Sequence, residues 1–468
     1  MSSAIGLSDP ETPVTAASDT AASEAAASGT VALGTVPSGV GAELLPSTAE
    51  DGPAGLAIGG VPLTELARSF GTPLFVYDEE HLRQRCREAV AAFGRDNVAY
   101  ASKAFLCVAM ARLAHEEGML LDVASGGELR VALRAGLPGD RIVLHGNNKD
   151  DAELRTAITA GVRHIVVDSF DEMDRIERLH TVEGLAPARI YLRVAPGVAA
   201  GAHESIRTGG NDSKFGFGIA GGAAASAVRR AVDSPAMVFE GVHAHVGSQV
   251  LDVAELAAGA AAVARFAVGV QARRITIGGG LGVAYETGQS APSFAEWATR
   301  VREAVRGAGW AGDVGVEPGR SIVARAGLTL YRVGTIKQIE GVRTYVSVDG
   351  GMSDNPRPAL YSGRYEAFLP RCPGAPRPLR ARLVGKHCES GDVIINDAAL
   401  PADLQVSDLL ATPVTGAYGY AMASNYNKLP RPAVVFVRDG RARVVVRRET
   451  DEDLLRLDLP DPAYPAGT

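Results

Sequence analysis

The chain has 468 residues, enough for one large domain and a smaller one that each bury a core. Its formal net charge is -7, from 47 Lys and Arg against 54 Asp and Glu, and no long block of either sign occurs, which argues against nucleic acid or an anionic membrane as a partner. The four cysteines, Cys86, Cys107, Cys372 and Cys388, form no C-x-x-C pair; this argues against a disulfide framework or a zinc or other metal cluster and favours a reducing cytoplasm.

The first 50 residues are rich in Ala, Ser, Thr and Gly and contain no aromatic residue. Such a composition buries too little apolar surface to offset the entropy of ordering, so residues 1–50 are predicted to form a disordered tail. No Lys or Arg precedes Arg68 and no apolar run reaches about 18 residues, so neither a secretory signal nor a membrane span is expected. An amphipathic helix ending at Gly71 and a strand at 72–78 follow, and the segment 51–78 is expected to pack with a β domain.

From residue 97 to residue 320, short β-branched or apolar runs alternate with polar or glycine-rich turns and with Ala-, Leu- and Arg-rich helical stretches. The eight runs are NVAYASK (97–103), LLDVAS (120–125), RIVLHGN (141–147), HIVVDS (164–169), RIYLRVAP (189–196), GVHAHVGS (241–248), ITIGGGLG (275–282) and VGVEPGR (314–320). Eight βα units without an obvious sheet edge favour a closed (β/α)8 barrel of the TIM type over an open sheet, with bounds at 79–335. Strands without long helices then predict a mostly β C-terminal domain at 336–468.

Residues that can react with or bind a ligand recur where these runs end. They are Lys103, His145, Asn147, His245, Ser248, Gly279, Gly280, Glu317, Gly319 and Arg320. The βα loops of such a barrel converge on the barrel axis at the carboxyl ends of the strands, so these groups are expected to face one cavity.

The combination of a lysine, a glycine turn and a carboxylate suits one cofactor in particular. A lysine amine condenses with an aldehyde, and a glycine turn with free backbone N–H groups holds a phosphate, so Lys103 and residues 278–280 together suit pyridoxal phosphate. Glu317 suits the ring nitrogen, because a carboxylate there keeps a proton in place and lets the ring accept electrons. An imidazole stacked on the ring comes from His243 or His245, which share one face of a strand. The residues therefore predict a pyridoxal-phosphate enzyme.

Nine stretches in one order resemble the diaminopimelate decarboxylases, a family of the alanine-racemase-like, fold-type III pyridoxal-phosphate enzymes. They are YASKAFL (100–106), HGNNK (145–149), SKFGFG (213–218), HAHVGSQ (243–249), GGGLG (278–282), EPGR (317–320), SVDGGMSDNPRPALY (347–361), GKHCESGD (385–392) and GAYGYAMASNYN (416–427). The resemblance extends from about Gly59 to about Leu455. It implies the same fold class, a (β/α)8 barrel with a β domain, and the decarboxylation of meso-2,6-diaminopimelate to L-lysine and CO2 in lysine biosynthesis.

The resemblance also implies roles for single residues. Lys103 would carry the cofactor, His245 would stack on its ring, Glu317 would meet its nitrogen, and Cys388 would protonate the substrate carbon after CO2 leaves. The further contacts with the cofactor would come from Ser248, Gly279, Gly280, Gly319, Arg320 and Tyr418. The contacts with the substrate would come from Arg320, Arg357, Tyr361, Glu389 and Tyr418; the arginines suit carboxylates and Glu389 an ammonium group. In this family the loop with Cys388 comes from the partner subunit, which implies a homodimer.

Other functions are weighed against this one. An arginine, ornithine or carboxynorspermidine decarboxylase would keep Lys103 and Glu317, but Arg357 with Glu389 argues against the first two. A decarboxylase of a related or modified diamino acid in a specialised pathway stays open. An alanine racemase is expected to place an arginine at the ring nitrogen, and a non-catalytic homologue that binds pyridoxal phosphate would be expected to have lost Cys388 or Arg357.

Overall fold

The computed structural model describes residues 39–197 and 213–459. The predicted tail lies outside the described residues as far as residue 38. From residue 39 onward the chain is packed: Leu44, in the short 3-10 turn Ala42–Leu44, is fully buried, and the Thr48 hydroxyl donates to Asp78 Oδ2 at 2.7 Å. The prediction of disorder was therefore wrong for residues 39–50, because an average over 50 residues conceals one core leucine and one well-placed hydroxyl.

Replacing Leu44 by Ala is expected to lower the free energy of unfolding by about 2–5 kcal/mol, because the change deletes a fully buried side chain and leaves a cavity. Urea unfolding followed by circular dichroism measures the difference. Leu457→Ala is the matched control, since that side chain is 82% exposed and its loss is expected to change stability by less than about 0.5 kcal/mol. Equal unfolding midpoints for the two variants would contradict a packing role for Leu44.

The segment before the barrel forms a small antiparallel sheet, one helix and a strand that joins a larger sheet. Its elements are β1 (Glu50–Gly52), β2 (Gly55–Ile58), β3 (Val61–Pro62), α1 (Leu63–Phe70), β4 (Leu74–Asp78) and α2 (Glu79–Phe93). Helix α1 buries Leu63, Leu66 and Ala67 along one stripe, as predicted from its periodicity. It ends at Gly71, whose positive φ of 70° favours glycine.

A closed parallel barrel follows. Its strands are β5 (Ala99–Ala101), β6 (Leu120–Val123), β7 (Ile142–Leu144), β8 (His164–Val167), β9 (Ala188–Ala195), β11 (Met237–His243), β12 (Arg274–Thr276) and β13 (Val314–Gly315), with β10 (Phe217–Gly218) paired to β9. Neighbouring strands pair in sequence order, and backbone bonds between Ala99 and Val316 and between Val316 and Asn97, at 2.9 and 2.8 Å, join the first strand to the last. Each of the eight predicted runs overlaps one of these strands, so the predicted barrel is confirmed.

Helices cover the outside of the barrel. They are α3 (Val108–Glu116), α4 (Gly126–Arg134), α5 (Asp151–Thr159), α6 (Phe170–Glu183), α7 (Ala223–Asp233), α8 (Val253–Gly269), α9 (Phe294–Gly307) and the short α10 (Arg320–Val323). Several begin at a side chain that accepts from the backbone N–H three residues on: Ser125 for α4, Ser169 for α6 and Ser293 for α9. These caps satisfy otherwise unpaired N–H groups, so they fix where these helices begin.

The C-terminal part is mostly β, as predicted. Its elements are β14 (Gly327–Ile339), β15 (Arg343–Val348), α11 (Arg357–Tyr361), β16 (Leu379–Val384), β17 (Val393–Leu400), β18 (Leu409–Pro413), β19 (Ala433–Arg438), β20 (Arg441–Val446) and α12 (Asp451–Leu455). The sheet order is β17-β16-β15-β14-β4-β19-β20, with β18 also paired to β14. Strand β14 crosses the expected border at residues 335 and 336 and pairs from Gly327 onward, so it lies in this sheet along its whole length.

Across residues 39–197 and 213–459, none of the helices is both long enough and apolar enough to cross a membrane.

Candidate active site

A cavity of about 720 Å³ opens at the carboxyl ends of the barrel strands. Among the residues that line it are Lys103, Asp122, His145, Arg193, Phe215, His243, His245, Ser248, Gly279, Gly280, Glu317, Gly319, Arg320, Arg357, Tyr361 and Tyr418. Barrel closure therefore brings together nearly all of the residues that the sequence singled out, although they are spread over more than three hundred positions.

Lys103 lies in the 3-10 turn Ser102–Ala104 that follows β5, and its side chain is exposed to the cavity. The turn is held by Glu128 of α4, whose carboxylate accepts from the Ser102 hydroxyl at 3.0 Å and from the Ala124 N–H at 2.6 Å. The Lys103 amine makes no hydrogen bond to any residue in the described ranges. A lysine on an anchored turn with an uncommitted amine is suited to covalent chemistry.

Glu317 follows β13 and is buried, with a hydrogen bond on each carboxylate oxygen. His145 Nε2 lies 3.0 Å from Oε1, and His243 Nε2 lies 2.8 Å from Oε2. Burial alone would raise the pKa of the Glu317 carboxyl, but the two imidazoles outweigh burial and hold this pKa well below its usual range. Glu317 is therefore an anion inside the barrel.

The two histidines that share a strand face have different surroundings. His243, the last residue of β11, is buried and is engaged with Glu317. His245 lies two residues beyond the strand, where its Nδ1 accepts from the Gly279 N–H at 3.3 Å. Burial, followed by the nearby Lys103 amine, lowers the pKa of His245 well below its usual value, so its ring is neutral at pH 7.

The glycine turn at residues 278–280 brings backbone close to the cavity. Gly278 and Gly280 have positive φ values of 69° and 115°, and a Cβ at Gly279 would lie 2.4 Å from the Glu317 carbonyl oxygen. Only glycine fits there. The backbone can therefore approach a bound group at this wall without side chains between them.

Arg320 stands beside this glycine turn. Its guanidinium donates to the Ser248 hydroxyl at 3.1 Å and to the Tyr285 hydroxyl at 2.8 Å, and it lies over the Tyr418 ring. Its Nε is buried and has no hydrogen-bond partner in the described part of the chain. A buried N–H donor with no acceptor costs free energy, and an anion such as a phosphate or carboxylate satisfies it.

A second arginine forms the wall contributed by the C-terminal part. Arg357, the first residue of α11, is buried; it donates to the Tyr365 hydroxyl at 2.6 Å and stacks 4.0 Å above the Tyr285 ring. Tyr361 lies one turn further along the same helix and lines the same cavity. Arg320 and Arg357 thus give the cavity two guanidinium groups, enough for two anionic groups of a ligand.

Two predicted site residues lie elsewhere. Cys388 and Glu389 are exposed on the loop between β16 and β17, and they do not line the cavity. The loop is anchored by its own contacts: the Cys388 N–H donates to Asn427 Oδ1 at 3.2 Å, and His387 Nε2 lies 2.8 Å from Ser353 Oγ.

The structure adds residues that sequence reasoning missed. Asp122 and Arg193 point into the cavity from β6 and β9, and Tyr285 and Tyr365 hold the arginines. A signal existed for the first two, because an acid and a base each interrupt an apolar run, LLDVAS and RIYLRVAP. Tyr285 and Tyr365 lie outside the predicted runs and carry no such signal.

This donor set fits pyridoxal phosphate. The uncommitted Lys103 amine suits the aldehyde, the buried Glu317 carboxylate suits a protonated ring nitrogen, and the unsatisfied Arg320 Nε beside bare glycine backbone suits a phosphate.

Comparisons with known proteins agree with this fit. Residues 79–324 match the family described as pyridoxal-dependent decarboxylase, pyridoxal binding domain. The chain is similar to a diaminopimelate decarboxylase of Mycobacterium tuberculosis, with 47% identity over 434 residues, 88% of this chain and 97% of that one. It is 45% identical to the Bacillus subtilis diaminopimelate decarboxylase over 420 residues, 86% of this chain and 95% of that one. A solved diaminopimelate decarboxylase from M. jannaschii in complex with L-lysine shares the fold with a TM-score of 0.84 and 32% identity, covering 89% of this chain and 99% of that one.

Proposed function

Because the chain belongs to the diaminopimelate decarboxylases, within the pyridoxal-dependent decarboxylase family, we infer that it removes CO2 from meso-2,6-diaminopimelate and yields L-lysine. The observation that carries this inference is the joint presence, in one cavity, of the uncommitted Lys103, the buried Glu317 carboxylate and the arginines Arg320 and Arg357. The reaction is a step of lysine biosynthesis.

Pyridoxal phosphate, when bound, supplies an aldehyde that links to amines and a ring that accepts the electron pair left by a departing carboxylate. We assign its attachment to the Lys103 amine. The Glu317 carboxylate would keep the ring nitrogen protonated, because the low pKa of Glu317 keeps that proton off the acid. The phosphate would be bound by Arg320, Ser248, Tyr418, Gly319 and the backbone of Gly279 and Gly280. The neutral His245 ring, next to Lys103 and Gly279, is placed to stack on the ring face.

Recognition of the substrate follows from charge. Arg320 and Arg357 suit carboxylates, and Tyr361 and Tyr418 line the space beside them. Contacts with the end of the substrate that is remote from the reaction orient the bond that breaks. The same contacts therefore set both specificity and rate. Glu389 pairs with the distal ammonium group, and the Cys388 thiol donates the proton that replaces CO2 on the substrate carbon.

The exposure of Cys388 and Glu389, outside the cavity of their own subunit, supports a homodimer in which each loop reaches the partner's site. The four unpaired cysteines support a reducing, cytoplasmic location.

Subunit mixing tests the dimer. Lys103→Ala and Cys388→Ala are each expected to be inactive, but a mixture reassociated at equal amounts is expected to recover about one quarter of wild-type activity, because half of the dimers are hybrids with one intact site. The control pairs Lys103→Ala with Arg357→Ala, two residues that line the same cavity, and should recover nothing. Absence of recovery in the first mixture would contradict a shared site.

The substrate is tested by measuring CO2 release from the cofactor-loaded protein with meso-diaminopimelate, arginine, ornithine and lysine at equal concentration. Release from meso-diaminopimelate alone, with lysine as product, is expected. Release from another amino acid would keep the chemistry and overturn the substrate, and no release from any would contradict the assigned reaction.

A further inference from the structure

Two histidines from different strands form hydrogen bonds with the carboxylate of Glu317, one with each oxygen. His145 follows β7 and His243 ends β11, and their ring centroids are 4.7 Å apart at an interplanar angle of 68°. Each directs its Nε2 at a different Glu317 oxygen, at 3.0 and 2.8 Å. All three side chains are buried, so their contacts are shielded from bulk water.

The two histidines differ in charge. His145 Nε2 also lies 3.7 Å from Oδ1 of Asp122 on β6, so it faces two carboxylates. Burial alone would lower the pKa of His145, but Asp122 and Glu317 raise it above its usual value. His243 faces Glu317 alone, its Nδ1 has no partner among residues 39–197 and 213–459, and burial lowers its pKa to about 4. The two carboxylates therefore favour the cationic form of His145, whereas burial favours the neutral form of His243.

We propose that His145 and His243 are positioning residues that fix the plane and the negative charge of Glu317, and that Asp122 serves as the counter-ion of His145. The proposal rests on the role of Glu317 in the proposed function, and it concerns residues that touch Glu317 and not the reacting atoms.

Charge balance explains why the cluster takes this form. Burial raises the pKa of Asp122 to about 6, and the nearby His145 opposes that rise. With Asp122 and Glu317 ionised and His145 protonated, the three groups carry one net negative charge, which can hold one proton on the group that faces Glu317. The other charged groups nearby include Lys103 after β5, Glu128 on α4 and Arg193 on β9. Glu128 is bonded to the Ser102 hydroxyl and the Ala124 N–H, and Arg193 has its own counter-ion, since its Nη1 lies 3.7 Å from Asp168 Oδ2. Without the His145 charge, two buried carboxylates would compete for the same proton.

The same atoms have a competing use. One ligand atom each from His145, His243 and Glu317 lie within 4.8 Å of one another, close enough to bind a divalent ion. A metal would require a lone pair on each Nε2 atom, whereas the hydrogen bonds from His145 and His243 to Glu317 require a proton there. The two uses therefore exclude each other. Metal analysis of the purified protein is therefore part of the test.

His145→Gln removes the charge and keeps an N–H donor. His164→Gln is the matched control, because His164 is also buried on a barrel strand and bonds a glutamate, Glu240, at 2.6 Å, but lies at the opposite end of the barrel. Both variants are loaded with pyridoxal phosphate, and the visible absorbance of the bound cofactor and the kcat are measured against pH.

In His145→Gln the pKa of Glu317 is expected to rise, because the cation that lowered it is gone. Glu317 is then protonated at higher pH than in the wild type, so kcat and the cofactor absorbance should change at an acidic pH at which the wild type shows no change. In Asp122→Asn, a second variant, the pKa of His145 is expected to fall, so the alkaline limb should move down by about one unit. His164→Gln should shift neither limb.

Profiles of His145→Gln and Asp122→Asn that coincide with those of His164→Gln would overturn the proposal, as would one equivalent of tightly bound zinc or manganese. If His145→Gln does not fold, Asp122→Asn decides alone. Failure of the proposed function is seen separately, because the wild-type protein would then release no CO2 from meso-diaminopimelate. The absorbance profiles would still show whether His145 and Asp122 control the charge of Glu317.

Discussion

Replacement of Lys103 by Ala is expected to abolish covalent retention of pyridoxal phosphate and to lower kcat for CO2 release by about 10³-fold or more, because no other amine in the described part of the cavity can take its place. Borohydride reduction of the wild-type protein followed by peptide mass analysis should find the cofactor on the peptide that contains Lys103. The visible absorbance of the bound cofactor should be missing from the variant.

The control for this change is Lys337→Ala, at an exposed lysine on β14, which should retain the cofactor and wild-type turnover. Lys149 is the informative alternative, because it also follows a barrel strand. Its amine, however, is buried and already bonded to Glu172 at 2.7 Å and to the carbonyl oxygens of Gly146 and Val166. Cofactor found on Lys149 would refute the assignment of Lys103.

Replacement of Glu317 by Gln is expected to lower kcat by about 10²–10³-fold while leaving cofactor retention largely intact. Gln keeps the shape of the side chain and one acceptor oxygen, but it loses the negative charge that holds a proton on the ring nitrogen. Steady-state turnover of meso-diaminopimelate and the dissociation constant of the cofactor, measured together, separate these effects.

Glu240→Gln is the matched control, since Glu240 also accepts from a buried histidine, His164, but does not line the cavity. It should change stability without changing kcat. Unchanged turnover in Glu317→Gln would remove the charge of Glu317 from the mechanism.

The barrel and its reactive face could be predicted because both depend on patterns within short stretches of the sequence. Lys103, His245 and Glu317 each follow a short apolar run, and parallel strands align their carboxyl ends, so their proximity follows from the fold. Asp122 and Arg193 could not be placed, because whether a polar residue in a buried strand faces the axis depends on the register around the closed barrel. Leu44 was missed because the composition of a 50-residue segment averages over it, whereas it packs in a core built mainly from residues distant in the chain.

The roles of the single site residues are predictions. The cavity unites Lys103, Glu317, Arg320 and Arg357, which supports their assignment. The proposed role of Cys388 requires a second subunit, and no pattern within one chain predicts where a partner's loop lies.

Strand β4 determines when the chain can finish folding during its synthesis. It has five buried residues and lies between β14, with which it is antiparallel, and β19, with which it is parallel. At about 5–20 residues per second, the ~350 residues from β4 to β19 take roughly 20–70 s to leave the ribosome. The barrel strands emerge in consecutive order and can pair as they appear. Strand β4, in contrast, keeps an unpaired apolar edge until β19 emerges, and this edge can pair with strands of other chains. Emergence of β19, and not closure of the barrel, therefore completes the pairing of β4.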